Sequence, residues 1–226
     1  MTHVLEGELS AAERDPQTAR FRVMPVDHTG ALPEVISALT EAAIKWGAIP
    51  ATLGGEIALS YKAVRGAARA LDRRTGVVQI DAHADLRKAY QGERHSHASV
   101  MQLLTEEDCI RIAQFRVRAF CAQEVVRRAS CGVSYRDAED LMTQDIHTVD
   151  LPDDFPQDIY VSLGVDGLDP SILPATGTPV PSRLSYYQAI AMRLKAAVWL
   201  AETSLNWHLT QTAPSQTSRL RRSTMR

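Results

Sequence analysis

From Pro33 to Trp46 the apolar residues fall at Val35, Ile36, Leu39, Ala42, Ala43 and Trp46, the spacing of one helical face. Pro33 suits a first turn and Gly47 a stop, so this segment predicts a helix packed on a sheet. Ile49 to Leu53 predicts the next strand, and Gly54-Gly55 a tight turn that lets the backbone approach a ligand. Ala58 to Leu71, rich in alanine and arginine, returns as a helix. Gly76-Val77-Val78-Gln79-Ile80 is short and mostly apolar, the pattern of a strand buried on both faces. Strand and helix in alternation predict a parallel α/β sheet with right-handed crossovers.

The pattern continues downstream. Ala98 to Leu104 starts another helix, Cys109 to Val117 alternates like a strand, and Ala122 to Ala129 and Ala138 to Met142 are short helices separated by loop. Ile159 to Leu163 is a compact apolar strand, and Tyr186, Ile190, Leu194, Ala197, Val198 and Ala201 form a helical stripe. At the amino end, residues 1–19 are polar without a clear period and predict a loose arm, followed by a short strand at Phe21 to Val26. No internal repeat interrupts this order.

Composition narrows the class. A chain of 226 residues with 45% apolar and 23% charged residues is long enough for one well-packed domain and ordinary for a globular protein. A net charge of -2 argues against a generally basic nucleic-acid binder. No apolar run approaches the ~18 residues of a membrane span. The opening MTHVLEGELS lacks the basic and apolar segments of a secretory signal, so a cytoplasmic location without membrane partners is expected. Cys109, Cys121 and Cys131 are odd in number and form no C-x-x-C pair, which suggests neither a disulfide framework nor a structural zinc site.

The densest chemistry lies just after the third predicted strand, in Asp81-Ala82-His83-Ala84-Asp85. On an extended chain alternate side chains share a face, so Asp81, His83 and Asp85 would point together. Two carboxylates and an imidazole suit manganese, iron or zinc, and open α/β sheets place ligands at such strand ends. Alone, the five residues also fit a solvated strand-to-loop turn.

The longer stretch DAHADLR, followed by YQGERHSHAS, resembles the ureohydrolase family of arginases and agmatinases, and its agmatinase-type members in particular. Leu53 to Ser60 resembles the family's Gly-Gly-Asp/Glu-His-Ser motif, and Ser162 to Pro170 its Ser-x-Asp-x-Asp-x-x-Asp-Pro motif. Thr176 to Pro181 and Leu184 to Tyr187 continue the likeness, which runs from about Pro33 to Leu200. It implies an α/β, three-layer arginase-like fold, a mainly parallel central sheet flanked by helices, here shortened at both ends. The implied domains are a loose arm at 1–19, a ureohydrolase-like domain at 20–202 and a divergent basic tail at 203–226.

The resemblance also implies a paired manganese centre that activates a hydroxide against a guanidinium carbon and releases urea. Carried over by motif, Asp81 would bridge both metals, His83 and Asp166 would complete one site, and Asp85 would belong to the other. His97 matches the family histidine proposed to shuttle protons to the leaving amine. Ile57 stands in place of a histidine ligand and Gly164 in place of the second bridging aspartate, so the residues support one weakly held manganese ion or none. Glu56 beside Ile57 belongs to the motif and is not expected to ligate. Asp169 before Pro170 is expected to fix its loop by local hydrogen bonds. Arg116 stands where a glycine is usual, and Ser182-Arg183 where the family has a glycine pair.

Two functions follow from that likeness. One is an agmatinase-like hydrolase of a guanidino compound such as agmatine, with a degraded centre and weak or no activity. The other is a non-catalytic homologue acting as a partner in a homo-oligomer. In residues 203–226 acidic groups stop and arginines accumulate. The family places a buried strand here, but Leu205, Trp207 and Leu209 alternate with Asn206, His208 and Thr210, so a poor substitute strand or disorder is expected.

Overall fold

Strand β2 (Thr75–Ile80), buried along its whole length, lies inside a six-stranded sheet. The computed structural model describes residues 32–53, 56–143, 149–181, 185, 187–188 and 205–210. The other strands are β1 (Ala51–Leu53), β3 (Ile110–Phe115), β4 (Ser134–Arg136), β5 (Asp158–Gly164) and β6 (Leu205–Thr210). Their order is β1-β6-β5-β2-β3-β4, and every neighbouring pair is parallel. Parallel register brings the ends Ile80, Phe115 and Leu163 to one level, so the loops that follow them open on the same edge of the sheet.

Both faces of the sheet are covered. On one, Val77, Ile110, Ile112 and Tyr160 meet Ala63 and Val64 of α2 (Ala58–Leu71) and Val100, Met101 and Leu104 of α3 (Val100–Leu104). On the other, Val78, Ile80, Ala113, Phe115, Ile159 and Val161 meet Leu141 of α5 (Ala138–Thr143), Val149 and Phe155. This double cover is why β2 and β5 read as nearly continuous apolar runs. Helix α1 (Leu32–Lys45) packs on α2, and Gly66 permits the approach: a Cβ there would lie 2.3 Å from the Ser37 carbonyl oxygen. Helix α4 (Ala122–Ser130) opens with a capping box in which Glu124 reaches back to the Cys121 N–H.

The parallel α/β reading agrees with this sheet. The helix boundaries at Ala58 and Leu71 coincide with the expected ones, and β4, three residues long at the sheet edge, is an element the pattern did not announce. The expected arm at 1–19, the strand at Phe21 to Val26, the turn at Gly54-Gly55, Ser182-Arg183, the helix from Tyr186 to Ala201 and the tail past Thr210 lie outside the described residues, apart from residues 185, 187 and 188. Of the two outcomes expected for 203–226, Leu205–Thr210 takes the strand, inserted between β1 and β5. No helix among the described residues is long and apolar enough to cross a membrane.

Candidate metal centre

The sheet edge gathers the candidate residues. The loop after β2 carries Asp81, His83 and Asp85, and the one-turn 3-10 segment Val165–Gly167 after β5 carries Asp166. Ile57 lies at the start of α2, and His97 opens a 3-10 turn before α3. Ile57, Asp81, His83, Asp85, His97, Gly164 and Asp166 all line one cavity of about 450 Å³.

Within it, Asp81, His83 and Asp166 bring their ligand atoms within 4.8 Å of one another. His83 Nδ1 lies 3.1 Å from Asp166 Oδ2 and 3.6 Å from Asp81 Oδ1, and the His83 N–H donates to Asp81 Oδ1 at 2.8 Å. Thr178 Oγ1 donates to Asp166 Oδ2 at 3.1 Å. Asp85 lines the cavity outside that triad, held by Gln79 Nε2, which donates to its Oδ2 at 2.9 Å. The shared face expected from strand alternation therefore holds for Asp81 and His83 but not for Asp85. The backbone turns left-handed at Asp85, φ 51°, and aims its carboxylate back at Gln79.

Three buried carboxylates around one imidazole set the electrostatics. Burial opposes charge on His83, but the Asp166 and Asp81 carboxylates outweigh it and raise the ring's pKa to about 10. Burial, with the Asp166 charge beside it, pushes Asp81 up to about 6. Asp85 is held well above the usual carboxylate range by burial and then by the Asp81 charge. Burial would raise Asp166 too, but the hydrogen bond and charge of His83 leave it below its ordinary value. The cluster thus favours an added positive charge.

The donor set of Asp81, His83 and Asp166 fits a divalent ion. Asp166 Oδ1 is buried with no hydrogen-bond partner among the described residues, beside a carboxylate and an imidazole of borderline-hard character. Asp85 and Ile57 line the cavity beside that triad. Gly164 adds no ligand, and its missing side chain is not spare room. A Cβ there would sit 2.0 Å from Asp81 Oδ2, so the Asp81 carboxylate itself fills that space.

Several residues that shape the site were given no role by the sequence. Gln79 and Gln114 face each other in the β2–β3 register. Gln114 Nε2 donates to Gln79 Oε1 at 2.6 Å and to the Ala84 carbonyl at 2.7 Å, and Arg128 Nε donates to Gln114 Oε1 at 2.9 Å. Buried Glu124 accepts the Leu86 N–H at 3.0 Å, tying the ligand loop to α4. Arg118 donates to the carbonyls of Arg116, Asp166, Val180 and Pro181, clasping the loop that carries Thr178. The available signal was a glutamine inside an otherwise apolar strand, at Gln79 and again at Gln114. Asp169 does fix its loop, accepting the Ser171 N–H at 2.9 Å, and His95 is exposed.

Comparison with known proteins gives this edge of the sheet a context. Residues 10–202 match the arginase family. The chain is 32% identical over 202 residues to an agmatinase of Pyrococcus horikoshii, covering 89% of this chain and 67% of that protein. It is 30% identical over 196 residues to an N(1)-aminopropylagmatine ureohydrolase of Thermococcus kodakarensis, covering 87% and 60%. Among solved structures, agmatine ureohydrolase of Thermoplasma volcanium superposes with a TM-score of 0.65 at 26% identity, covering 80% of this chain and 60% of that one. Arginase from Medicago truncatula superposes with a TM-score of 0.69 at 24% identity, covering 84% and 59%. The chain spans between about half and two thirds of the length of most of the curated relatives it matches. The parallel sheet, the ligand-bearing loops at its carboxyl edge and the match across most of the sequence place the chain in the arginase family.

Proposed function

We propose that this chain is an agmatinase-like ureohydrolase whose centre is reduced to a single divalent ion, manganese, and that it hydrolyses a guanidino compound such as agmatine slowly at most. One observation carries the reading: Asp81, His83 and Asp166 converge within 4.8 Å in the cavity that His97 also lines. Asp81, His83 and Asp166 would hold the ion. When bound, such an ion supplies a water of lowered pKa and polarises what it touches.

The chain's own residues do the rest. The buried carboxyl groups of Asp81 and Asp85 line the cavity that would receive the guanidinium, with buried Ile57 as an apolar part of its wall. Thr178 holds Asp166 through its Oδ2, and His97 carries a proton to the leaving amine. The names of the relatives, an agmatinase and aminopropylagmatine ureohydrolases, support the guanidino class.

A second reading, a non-catalytic homologue working as a subunit of a homo-oligomer, is favoured by the Asp81 carboxylate filling the space above Gly164. Elemental analysis after dialysis against manganese-free buffer, with a urea-release assay on agmatine, tests both. One retained manganese ion per chain with slow urea release is the expected result. Two retained ions per chain would overturn the single-ion centre, and no urea at saturating manganese would move the reading to the non-catalytic partner.

A further inference from the structure

Glu56, the residue before Ile57, makes a contact outside the candidate ligand set. Glu56 Oε1 lies 2.7 Å from His97 Nδ1. The two come from distant parts of the chain, Glu56 ahead of α2 and His97 at the 3-10 turn before α3. His97 and Tyr90 both line the cavity and Glu56 does not, so the carboxylate grips the ring from outside. The Tyr90 ring lies 5.2 Å from the His97 ring at 59°, bracing it from a second side.

We propose that Glu56 is a positioning residue, one that fixes the tautomer of His97 so that Nε2 is the nitrogen offered to the cavity. An ionised carboxylate only accepts hydrogen bonds, so the nitrogen facing it must carry the proton. Nδ1 is that nitrogen, and the neutral ring therefore keeps its lone pair on Nε2. A ring held this way takes up and returns one proton at Nε2, while Nδ1–H stays bonded to Glu56 throughout. The same contact explains an acidic residue next to Ile57 that is no ligand: it serves the histidine across the cavity mouth. This inference rests on His97 being the proton carrier of the proposed hydrolase.

The test is a nitrogen-15 NMR measurement of the His97 ring in the full-length chain at about pH 8.5, where an ordinary histidine is neutral. His97→Asn identifies its signals. In the unaltered protein Nδ1 is expected to carry the hydrogen and Nε2 to give the far-downfield signal of a bare nitrogen. Glu56→Ala should exchange the two, and Glu56→Gln, whose side-chain oxygen still accepts, should keep the original pattern. A ring that already carries its hydrogen on Nε2, or one indifferent to Glu56→Ala, would overturn the assignment. Both substitutions lie on half-exposed surface, so folding is not at stake. Urea release on the same samples keeps the two ideas apart: none from the unaltered chain overturns the hydrolase, while the ring signals still decide the role of Glu56.

Discussion

At the scale of single residues, the proposed single-ion centre turns on Gly164 and Ile57. Gly164 is not a vacancy awaiting an aspartate, because Asp81 Oδ2 already occupies the position a Cβ would need. Gly164→Asp alone must therefore swing Asp81 aside and add another carboxylate to a buried anionic cluster. We expect it to cost roughly 1–3 kcal/mol without metal, the usual range for crowding a packed site. Ile57, 5% exposed and part of the apolar core, becomes a buried ring with unmet hydrogen bonds in Ile57→His, again about 1–3 kcal/mol. With manganese the double variant should regain stability through binding, and its metal content should rise by more than the two single changes combined. Thermal scans with and without manganese, beside elemental analysis, read this out; gains that merely add would refute the shared-carboxylate argument. These departures were visible in the sequence as residue types in motif positions. The swing of Asp81 was not, because it depends on which neighbour fills a space. Arg116 is similar: it stands where a glycine is usual, and only the structure reveals φ 69°, a conformation suited to glycine, with the side chain 1% exposed.

At the scale of elements, the ligand loop is held by a line of directed hydrogen bonds across the sheet. Arg128 can only donate, so Gln114 must turn its oxygen toward it and its amide group toward Gln79. Gln79 then presents its own amide group to Asp85. One guanidinium thus sets the polarity of two amides and the acceptor role of a candidate ligand. Arg128 is 3% exposed, bound to Asp137 by Nη1 at 2.9 Å and stacked by the rings of Phe120 and Tyr135. Arg128→Met would leave Gln114 Oε1 and the Asp137 carboxylate without their donor, a loss of about 3–5 kcal/mol by analogy with broken buried pairs. At about 2–4 °C per kcal/mol for a chain of this size, the melting temperature should fall by roughly 6–20 °C. Arg128→Lys should recover little, since a single ammonium cannot reach both partners with the guanidinium's geometry. A fall of under about 2 °C on calorimetry would mean that the line carries no weight. Composition made α2 legible, and a compact apolar run made β5 legible. The pairing of Gln79 with Gln114 was not legible, since a polar residue in an apolar run gains meaning only when the register supplies its partner.

At the scale of the molecule, β6 decides whether the sheet is continuous. It pairs with β5 from Ile159↔Leu205 to Gly164↔Thr210 and with β1 at Ala51↔Trp207, Thr52↔His208 and Leu53↔Leu209. The alternation of Leu205, Trp207 and Leu209 with Asn206, His208 and Thr210 looked unlike an interior parallel strand. Yet the ladder is made by backbone N–H and C=O groups, and these pair with both neighbours whatever the side chains are. Only the family resemblance pointed to this place in the sheet; hydropathy pointed away from it. The candidate centre depends on the outcome, because β5 carries Gly164 and leads directly into Asp166. Ending the chain at Glu202 would leave β5 with an open edge on that side and β1 without the partner it has here, two edges able to pair with other chains. If about three to four hydrogen bonds worth ~1 kcal/mol each are lost net, the melting temperature should drop by roughly 10 °C, with aggregation on heating. Trp207→Pro, which removes a ladder donor between Ala51 and Val161, should reproduce most of that drop while keeping the chain full length. Calorimetry and light scattering on the three proteins make the comparison. If both altered forms melted within about 2 °C of the intact chain and stayed monodisperse, β6 would not be holding the sheet together, and the geometry at Asp166 would have to be secured by β2 and the Arg118 clasp alone.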